Sequence, residues 1–453
     1  DKDITLTPKF YFNQNPLLLA EYRQDFMNSF LIVDAGYAKG YKKKNKKKTD
    51  GGRAHFFTNF NMSLVNEEER KSSVEVNLEK SSNDTYFKVY DVNSSLVKGE
   101  KTVLENKIDF IYQNQDFYFG LTPSIYEDMN KAGHNRHEYL LPLTLDKNIM
   151  SSSKYGFLDL GTNLRIRNYD TNKQTNFLVN DFNWSSNKWL SSLGVENYFE
   201  GLFKNVNYEA KNTSKYKNDN NNSELHSVLG YFAKLPLYKE NFIKKSFHSL
   251  TPKFLLRYAP GHMRDTTEGK LNYGNLFDLN KVDEFDVVES GLSTSVGFEY
   301  KKNKLNDSKT IGDEVLSLSV GQVVSAEENM DLPSSTSLDQ HFSDVVGSAK
   351  YNVEDKLSLN YNFSIDQGFK NFNYNEIGTD LTFNKAEFNV SYLQEINHIG
   401  DQEYIKTGVD FKLNSSSELS FGTKRNLLSS SAEFYNLSYN YINDCLKAGI
   451  AYR

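Results

Sequence analysis

The sequence predicts an all-β protein, a large antiparallel transmembrane β-barrel, and three observations support this fold class. Residues 357–366 alternate apolar and polar side chains over five cycles, as expected of a strand with two different faces. Similar alternation recurs along a chain of 453 residues, between turns rich in Asn, Ser, Gly and Asp. No stretch of the sequence approaches the roughly 18 consecutive apolar residues that a membrane helix needs.

A membrane barrel reconciles the polar composition with one very large sheet. The mean hydropathy is −0.63, whereas a water-soluble chain of this length would be expected to form several cores from longer apolar runs. In a barrel, alternate residues of each strand face lipid and water, and closure leaves no unpaired backbone groups in the hydrocarbon. A soluble sandwich, propeller or solenoid also has short strands and frequent turns, so it stays open as an alternative.

The strands follow one another along the chain as hairpins, about 23 of them at roughly one per 20 residues. The first pair is predicted over Asp3–Asn13 and Leu17–Met27, joined at Gln14–Pro16. Later strands are marked by alternating apolar positions: Val74/Val76/Leu78, Leu316/Leu318/Val320, Ala386/Phe388/Val390/Tyr392, Val409/Phe411/Leu413, Leu437/Tyr439/Tyr441 and Leu446/Ala448/Ile450/Tyr452.

The connections between predicted strands are alternately short and long. The short ones include Met27–Ser29, Asn66–Lys71, Asn352–Lys356, Asn384–Lys385, Ser415–Glu418 and Ile442–Asp444. The long ones include Tyr41–Gly52, Ser81–Glu105, Glu209–Glu224, Gly261–Glu289 and Ala326–Gln340. Outer-membrane barrels have this asymmetry, with the long loops facing outward. No change of composition divides the strands, so one domain is predicted over residues 1–453.

Composition and motifs exclude several classes of function. A formal net charge of −6 argues against a nucleic-acid partner. The basic run at residues 42–48 lies in a predicted long loop, where it is expected to be solvated or to meet lipid phosphates. The sequence has no nucleophile elbow, phosphate-binding loop or paired-cysteine metal motif. We therefore predict no catalytic, cofactor-binding or metal-binding residues and no enzyme activity.

Three charged residues occupy the polar face of the second predicted strand. Glu21, Arg23 and Asp25 alternate with Tyr22 and Ala20. Since an Arg on the lipid face at mid-membrane costs about 2–4 kcal/mol, these charges are expected to face the barrel lumen. The sequence leaves open whether they contact cargo or pair with one another.

Short segments in family order across almost the whole chain resemble the barrel domain of the lipopolysaccharide-assembly outer-membrane protein family LptD. They are Asp3–Tyr11, Leu19–Arg23, Ser82–Phe87, Leu250–Pro260, Asp283–Gly291 followed by Ser295–Tyr300, Ser317–Gln322 and Asn443–Leu446.

The resemblance implies a translocon in the outer membrane of a Gram-negative bacterium. Family members form barrels of roughly 26 strands, at the large end of single-chain barrels. An LptE-like lipoprotein fills the lumen, and an LptA-like periplasmic bridge delivers lipopolysaccharide (LPS) through an N-terminal periplasmic domain. Acyl chains leave sideways through a seam between the first and last strands, while sugars pass through the lumen. No bond changes, so neither cofactor nor catalytic residue is implied.

By comparison with the family, the chain is expected to begin at the third strand and to end in the next-to-last one. The periplasmic domain and both seam strands would then be missing. We therefore expect an open or incomplete barrel with exposed end strands, in which the seam residues cannot be assigned.

The lone cysteine, Cys445, is a disulfide candidate by the same resemblance. In the family, cysteines near this late position bond to cysteines of the periplasmic domain. The partner would lie outside the present sequence, and an inert thiol is the alternative.

Two rival functions remain open. A passive porin would have 16–18 strands and a constricting loop, and a plugged transporter would have about 22 strands and a plug domain. An outer-membrane hydrolase would need a catalytic constellation that the sequence does not display.

Overall fold

A computed structural model describes residues 1–453 except 13, 41–50, 100, 218–219, 267–268, 283, 307–309, 355, 397–400, 444–445 and 453. The predicted all-β fold class is confirmed, because the described residues contain 26 strand segments in one sheet. Every pairing with a defined register is antiparallel, as in the hairpin from β1 to β2 and the last one from β25 to β26. No helix among the described residues is long and apolar enough to cross a bilayer.

The first strands are β1 (Lys2–Lys9), β2 (Leu17–Asp25), β3 (Ser29–Lys39), β4 (Gly52–Asn66), β5 (Arg70–Ser81), β6 (Val103–Asn114), β7 (Phe117–Leu121), β8 (Ser124–Asp128), β9 (His137–Ser152), β10 (Gly156–Tyr169), β11 (Lys173–Ser185), β12 (Trp189–Leu190) and β13 (Glu196–Lys211). The remaining strands are β14 (Asn222–Lys234), β15 (Leu237–Asn241), β16 (Ser246–Ala259), β17 (Gly291–Leu305), β18 (Ile311–Ser325), β19 (Val345–Val353), β20 (Leu357–Ile365), β21 (Phe372–Phe383), β22 (Ala386–Glu395), β23 (Gln402–Asn414), β24 (Ser417–Asn426), β25 (Ser431–Ile442) and β26 (Lys447–Tyr452). Three short helical segments interrupt the connections: α1 (Tyr86–Tyr90) and two 3₁₀ turns, Gly133–Arg136 and Ser334–Thr336.

In three cases, two consecutive segments together form one interrupted strand. β7 and β8 both pair with β6 and β9, β11 and β12 both pair with β13, and β14 and β15 both pair with β16. Two interruptions contain a proline, Pro123 and Pro236, which has no N–H to donate to a ladder. Counting each pair once reduces 26 segments to 23 strands, the number that the sequence predicts.

The boundaries also follow the predicted pattern, with one clear difference. β20 covers Leu357–Ile365, the segment with the most regular alternation. The first strand is shorter than predicted, because β1 ends at Lys9 instead of extending to Asn13. Tyr11 lies beyond the end of the strand, and its hydroxyl donates a hydrogen bond to the carbonyl of Tyr90, 2.5 Å away.

Connection lengths alternate over most of the chain as predicted, although the connection 170–172 is short where a long one is expected. When each interrupted pair is counted as one strand, short turns such as 67–69, 384–385 and 415–416 follow even-numbered strands, and the long connections 82–102, 260–290 and 326–344 follow odd-numbered strands. The predicted loop at 41–52 and its basic run lie mostly outside the described residues.

Residue contacts group the chain into two compact units. Unit 1 comprises Asp1–Ser152, Phe157–Asn183 and Phe203–Leu225, and unit 2 comprises Ser153–Gly156, Trp184–Leu202 and His226–Arg453. The single domain predicted over residues 1–453 stays a prediction.

The strand register separates an apolar face from a polar face in unit 2. One row of paired residues crosses six strands, from Leu381 through Phe388, Val409, Phe421 and Leu437 to Tyr452. The neighbouring row, on the opposite face, contains Asp380, Asn389, Gly408, Gly422 and Asn436. Phe388, Phe421 and Leu437 are exposed by 37–45%, so the apolar face of these strands is not covered by protein.

Candidate functional site

The polar face of the strands carries two long connections that fold back onto it. We call residues 82–102 the first strap, in unit 1, and residues 260–290 the second strap, in unit 2. Two large clusters of buried residues lie where these straps meet the strands. The uncovered part of the polar face in unit 1 contains a row of hydrogen-bonding side chains. The first strap and this row form one candidate site in unit 1, and the second strap forms a separate candidate site in unit 2.

The first strap packs through aromatic side chains of α1. Tyr86, Phe87 and Tyr90 are each 1% exposed and lie in one cluster with Leu17 of β2 and Phe57 of β4. Burying an aromatic or aliphatic side chain contributes roughly 1.5–3 kcal/mol, so this contact holds the strap firmly.

The turn before α1 and the end of α1 are both set by side-chain chemistry. The Asn83 Oδ1 accepts a hydrogen bond from the Thr85 backbone N–H at 3.1 Å, which forms a local turn. Asp91 has a φ of 42°, so the chain leaves the helix in the left-handed conformation after five residues.

A buried relay joins the first strap to the strands. His55 Nε2 lies 2.7 Å from Asp34 Oδ1, and His55 Nδ1 lies 3.0 Å from the Tyr86 hydroxyl. The carboxylate only accepts, so in a neutral His55 the Nε2–H donates to Asp34 and Nδ1 accepts from Tyr86. Burial raises the pKa of the Tyr86 hydroxyl, which therefore keeps the proton that it donates. With every member buried, the relay fixes the strap in place.

Gly36 of β3 leaves the space that this relay needs. A Cβ atom at Gly36 would lie 2.5 Å from His55 Cε1 and 2.7 Å from the Tyr86 hydroxyl. Both neighbours are held by buried hydrogen bonds, so neither can move without breaking one.

A second contact of the first strap depends on Arg136, which the sequence analysis did not single out. Its Nη2 donates to Asp84 Oδ1 at 2.6 Å, and its Nε donates to Glu127 Oε1 of β8 at 2.8 Å. The guanidinium of Arg136 holds the pKa of the Asp84 carboxyl below its usual range. Arg136 ends the 3₁₀ turn Gly133–Arg136, which brings its guanidinium to both carboxylates.

The three charged residues predicted on β2 share the face that the first strap covers. Glu21 and Arg23 form an ion pair, and the Ser95 hydroxyl of the strap donates to Glu21. Asp25 is the exposed last residue of β2. Glu21 and Arg23 therefore pair with one another, which was one of the two alternatives; their position in a lumen stays a prediction. Cys445, the disulfide candidate, lies outside the described residues.

The register places these residues on the same face as a polar ladder, which we define as Asn59, Asn61, Glu75, Asn77 and Asp109. Asp25 pairs with Phe30, Phe30 with Asn61, Asn61 with Glu75, and Glu75 with Asp109.

Hydrogen bonds orient the polar ladder. Asn59 donates to Glu75 at 3.0 Å, and the Thr122 hydroxyl donates to Asp109 at 2.9 Å. A cavity of about 750 Å³ borders Asn61, Glu75 and Asp109 at the short-turn end. The ladder therefore offers amide and carboxylate groups to a hydroxyl-rich molecule.

The second strap is held by an apolar core and a close backbone approach. Met263, Leu271, Leu276, Val282 and Val287 of the strap pack with residues of β18, β19 and the 326–344 connection. Leu276 lies directly over Gly321 of β18, where a Cβ atom would be 2.3 Å from Leu276 Cδ2. Lys270 reaches further, with its Nζ 3.2 Å from the centre of the Tyr374 ring on β21.

Three fully buried charges pin the second strap to β16. Arg257 Nη1 lies 3.5 Å from Glu289 Oε1, and Lys281 Nζ lies 3.6 Å from Glu289 Oε2. Arg257 and Lys281 side chains are 0% exposed and Glu289 is 3% exposed. Arg257 Nε also donates to the Leu279 carbonyl at 2.5 Å. Two cations therefore enclose one carboxylate away from water.

The environment shifts both ionisable groups that the strap contributes to this cluster. Burial lowers the pKa of Lys281, and Glu289 offsets part of that effect. Burial by itself raises the pKa of Glu289, but Arg257 and Lys281 outweigh it and hold that pKa below its usual range. These residues lie in the segments 250–260 and 261–289, and no pattern in the sequence pairs them.

Replacing Gly36 with Ala is expected to loosen the first strap. The new Cβ collides with His55 and Tyr86, and such overpacking typically costs about 1–3 kcal/mol. Limited proteolysis should then cut residues 82–102 faster than in the native protein. Gly378→Ala is the control, because a Cβ there meets nothing within 4 Å; equal cleavage of both variants would contradict the assigned role.

Replacing Arg257 with Met is expected to destabilise the second strap strongly. Removing one partner leaves buried charge uncompensated, a loss of about 3–5 kcal/mol. Urea unfolding of the purified protein measures this free energy. Arg23→Met removes a partly exposed ion pair, for which about 0–1 kcal/mol is expected; similar losses for both variants would show that the buried cluster carries no special weight.

None of the curated proteins matches this chain. The model of the LptD family, described as LPS transport system D, matches residues 53–434 of the 453, a range that includes the polar ladder and both straps. The chain therefore belongs to the LptD family, whose function is LPS transport and assembly at the outer membrane.

Proposed function

We propose that this chain is the outer-membrane barrel domain of a translocon that inserts LPS into the outer leaflet. One observation carries the proposal: in a member of an LPS-transport family, strands such as β22, β24 and β25 have one apolar exposed face and one polar face. LPS has apolar acyl chains and hydrophilic sugars, so its two parts match the two faces. Residues 1–453 would act as a single integral domain in the outer membrane of a Gram-negative bacterium.

The apolar face is the surface that would meet lipid. Its exposed side chains include Phe388, Phe421 and Leu437, paired in one row across neighbouring strands. In water such a continuous apolar surface would drive association. In a bilayer it is solvated by acyl chains, while the backbone groups are satisfied by the strand ladders.

The polar ladder is the surface that would guide the sugars. Amides and carboxylates such as Asn59 and Glu75 can donate to and accept from sugar hydroxyls, and their hydrogen bonds to one another hold them in position. The first strap covers the neighbouring part of the same face at Glu21 and Asp34. Sugars would therefore pass beside a strap and through a polar, hydrated space.

The transport step is physical, so the proposal includes no catalytic residue and no cofactor. Acyl chains would leave sideways through a lateral seam while the sugars follow the lumen. The partners proposed are an LptE-like lipoprotein inside the barrel and an LptA-like periplasmic bridge, which would act through an N-terminal periplasmic domain. Cys445 would form a disulfide with that domain.

The alternative functions are a general porin and a plugged transporter of another substrate. In each unit a strap packs on the polar face through a large buried cluster. A passive porin narrows its lumen with one constricting loop, whereas here a strap packs on the polar face in each unit. The straps therefore favour a protein that controls access to its polar face.

Photo-crosslinkers at Glu21, Arg23 and Asn61 are expected to capture LPS in the full-length parent protein in outer membranes. Glu68, at the tip of an exposed short turn, is the control site and should give little product. Co-purification of a small lipoprotein would support the proposed partner. Absence of LPS from all three sites, together with ion conductance through a stable open pore, would favour the porin.

Replacing Phe421 with Arg is expected to impair assembly into a bilayer. A basic residue at mid-membrane on the lipid face costs about 2–4 kcal/mol. Ser420→Arg places the same charge on the opposite face of β24, where water or polar groups solvate it. The folded fraction in phospholipid vesicles measures both effects, and equal impairment would contradict the assignment of the faces.

A further inference from the structure

The apolar face of β15–β17 becomes basic at its short-turn end. On β17, Val296, Phe298 and Tyr300 are followed on the same face by Lys302 and Lys304. The register sets Lys302 opposite His248 of β16, and His248 opposite Lys239 of β15. Tyr300 pairs with Leu250, which pairs with Leu237. An apolar row is therefore bordered directly by a row of cationic side chains.

The turn that joins β15 to β16 extends this basic border. Its residues are Phe242, Ile243, Lys244 and Lys245, and all four are exposed, Ile243 by 97%. Together Lys239, Lys244, Lys302 and Lys304 form what we call the lysine border. Exposed apolar side chains and lysines at one strand end are the combination found where a protein meets the headgroup layer of a bilayer.

Carboxylates of the protein neutralise this border only in part. Lys304 forms a long ion pair with Glu354 at 3.9 Å, whereas among the described residues no carboxylate lies within ion-pair distance of Lys239, Lys244 or Lys302. Glu240 follows Lys239 on β15 and so points to the opposite face. Like charges close together on one face of a sheet repel one another, so an anion from outside the chain would stabilise the border.

The spacing of the border suits a phosphate group. Residues two apart on one strand face are about 7 Å apart, and neighbouring strands are separated by about 4.8 Å. Long lysine side chains at 239, 302 and 304 can therefore converge on one phosphate. His248 lies between them with both ring nitrogens engaged, at 2.8 Å to the Tyr300 hydroxyl and 3.0 Å to the Ser246 hydroxyl.

We propose that the lysine border binds the headgroup of an anionic phospholipid whose acyl chains lie against Leu237, Leu250 and Tyr300. This inference rests on the proposed membrane location, because it takes the apolar face as the lipid-facing one. The adjacent apolar row distinguishes this occupant from an acidic soluble protein or free phosphate, neither of which uses that row. Bound lipid would anchor these strands at a fixed depth in the leaflet at the short-turn end.

A fluorescent phosphatidylglycerol titrated into the purified full chain in neutral detergent tests the proposal. The variant is the triple change Lys239→Gln, Lys302→Gln and Lys304→Gln. At about fivefold per lysine, a loss of affinity on the order of 100-fold is expected. The matched control is Lys301→Gln, Lys350→Gln and Lys406→Gln, which removes the same charge from exposed positions on the polar face.

Each outcome decides the proposal. Native and control proteins should bind phosphatidylglycerol alike, and a phosphatidylcholine probe should bind weakly to all three. Unchanged affinity in the border variant, or equal loss in the control, would overturn the site. Competition by millimolar inorganic phosphate as effective as that by the lipid would assign the border to a free anion. Since LPS is not measured, failure here leaves the translocon proposal to its own crosslinking test.

Discussion

The antiparallel register of the strands is the constraint on which every other feature depends. Side chains alternate between faces with a period of two, so a slip of one residue would move every apolar side chain to the other face. Asn61, Glu75 and Asp109 come from three different strands, and they share a face only because the pairing of β4, β5 and β6 is fixed. The same register brings Phe388, Val409 and Phe421 into one apolar row.

The straps supply most of the dense packing that the strands alone do not have. A two-faced strand exposes one side to each solvent, which leaves little to bury within the sheet itself. Tyr86 and Phe87 of the first strap and Leu271 and Leu276 of the second are all at most 2% exposed. Packing against the strands therefore turns two long connections into ordered parts of the structure instead of mobile loops.

Local pattern was sufficient to predict the strands but not the contacts between distant segments. The period of two at Leu357–Ile365 is visible in the sequence, and the strand occupies that segment. The alternating connection lengths were predicted from the lengths of the stretches that separate these alternating segments. In contrast, α1 has five residues, too few for a helical period to be recognised.

The site itself was predicted only in part, since its contacts join residues far apart in sequence. Glu21 and Arg23 were found because their charges interrupt an otherwise apolar strand. The link from His55 to Tyr86 spans 31 residues, and that from Arg257 to Glu289 spans 32. No spacing rule connects such positions, and each depends on how a strap returns to the sheet. The need for glycine at positions 36 and 321 likewise depends on the side chains that pack against them in the folded protein.

The two straps are held by different interactions, and their release therefore has different energetic costs. The relay of Asp34, His55 and Tyr86 lies beside a continuous aromatic cluster, so releasing the first strap exposes apolar surface and loses hydrogen bonds together. The second strap buries three charges, and releasing it returns them to water. Because the desolvation of buried ions offsets much of their mutual attraction, such clusters add less stability than their contacts suggest. The charged cluster of Arg257, Lys281 and Glu289 therefore defines where the second strap lies more than how tightly it is held.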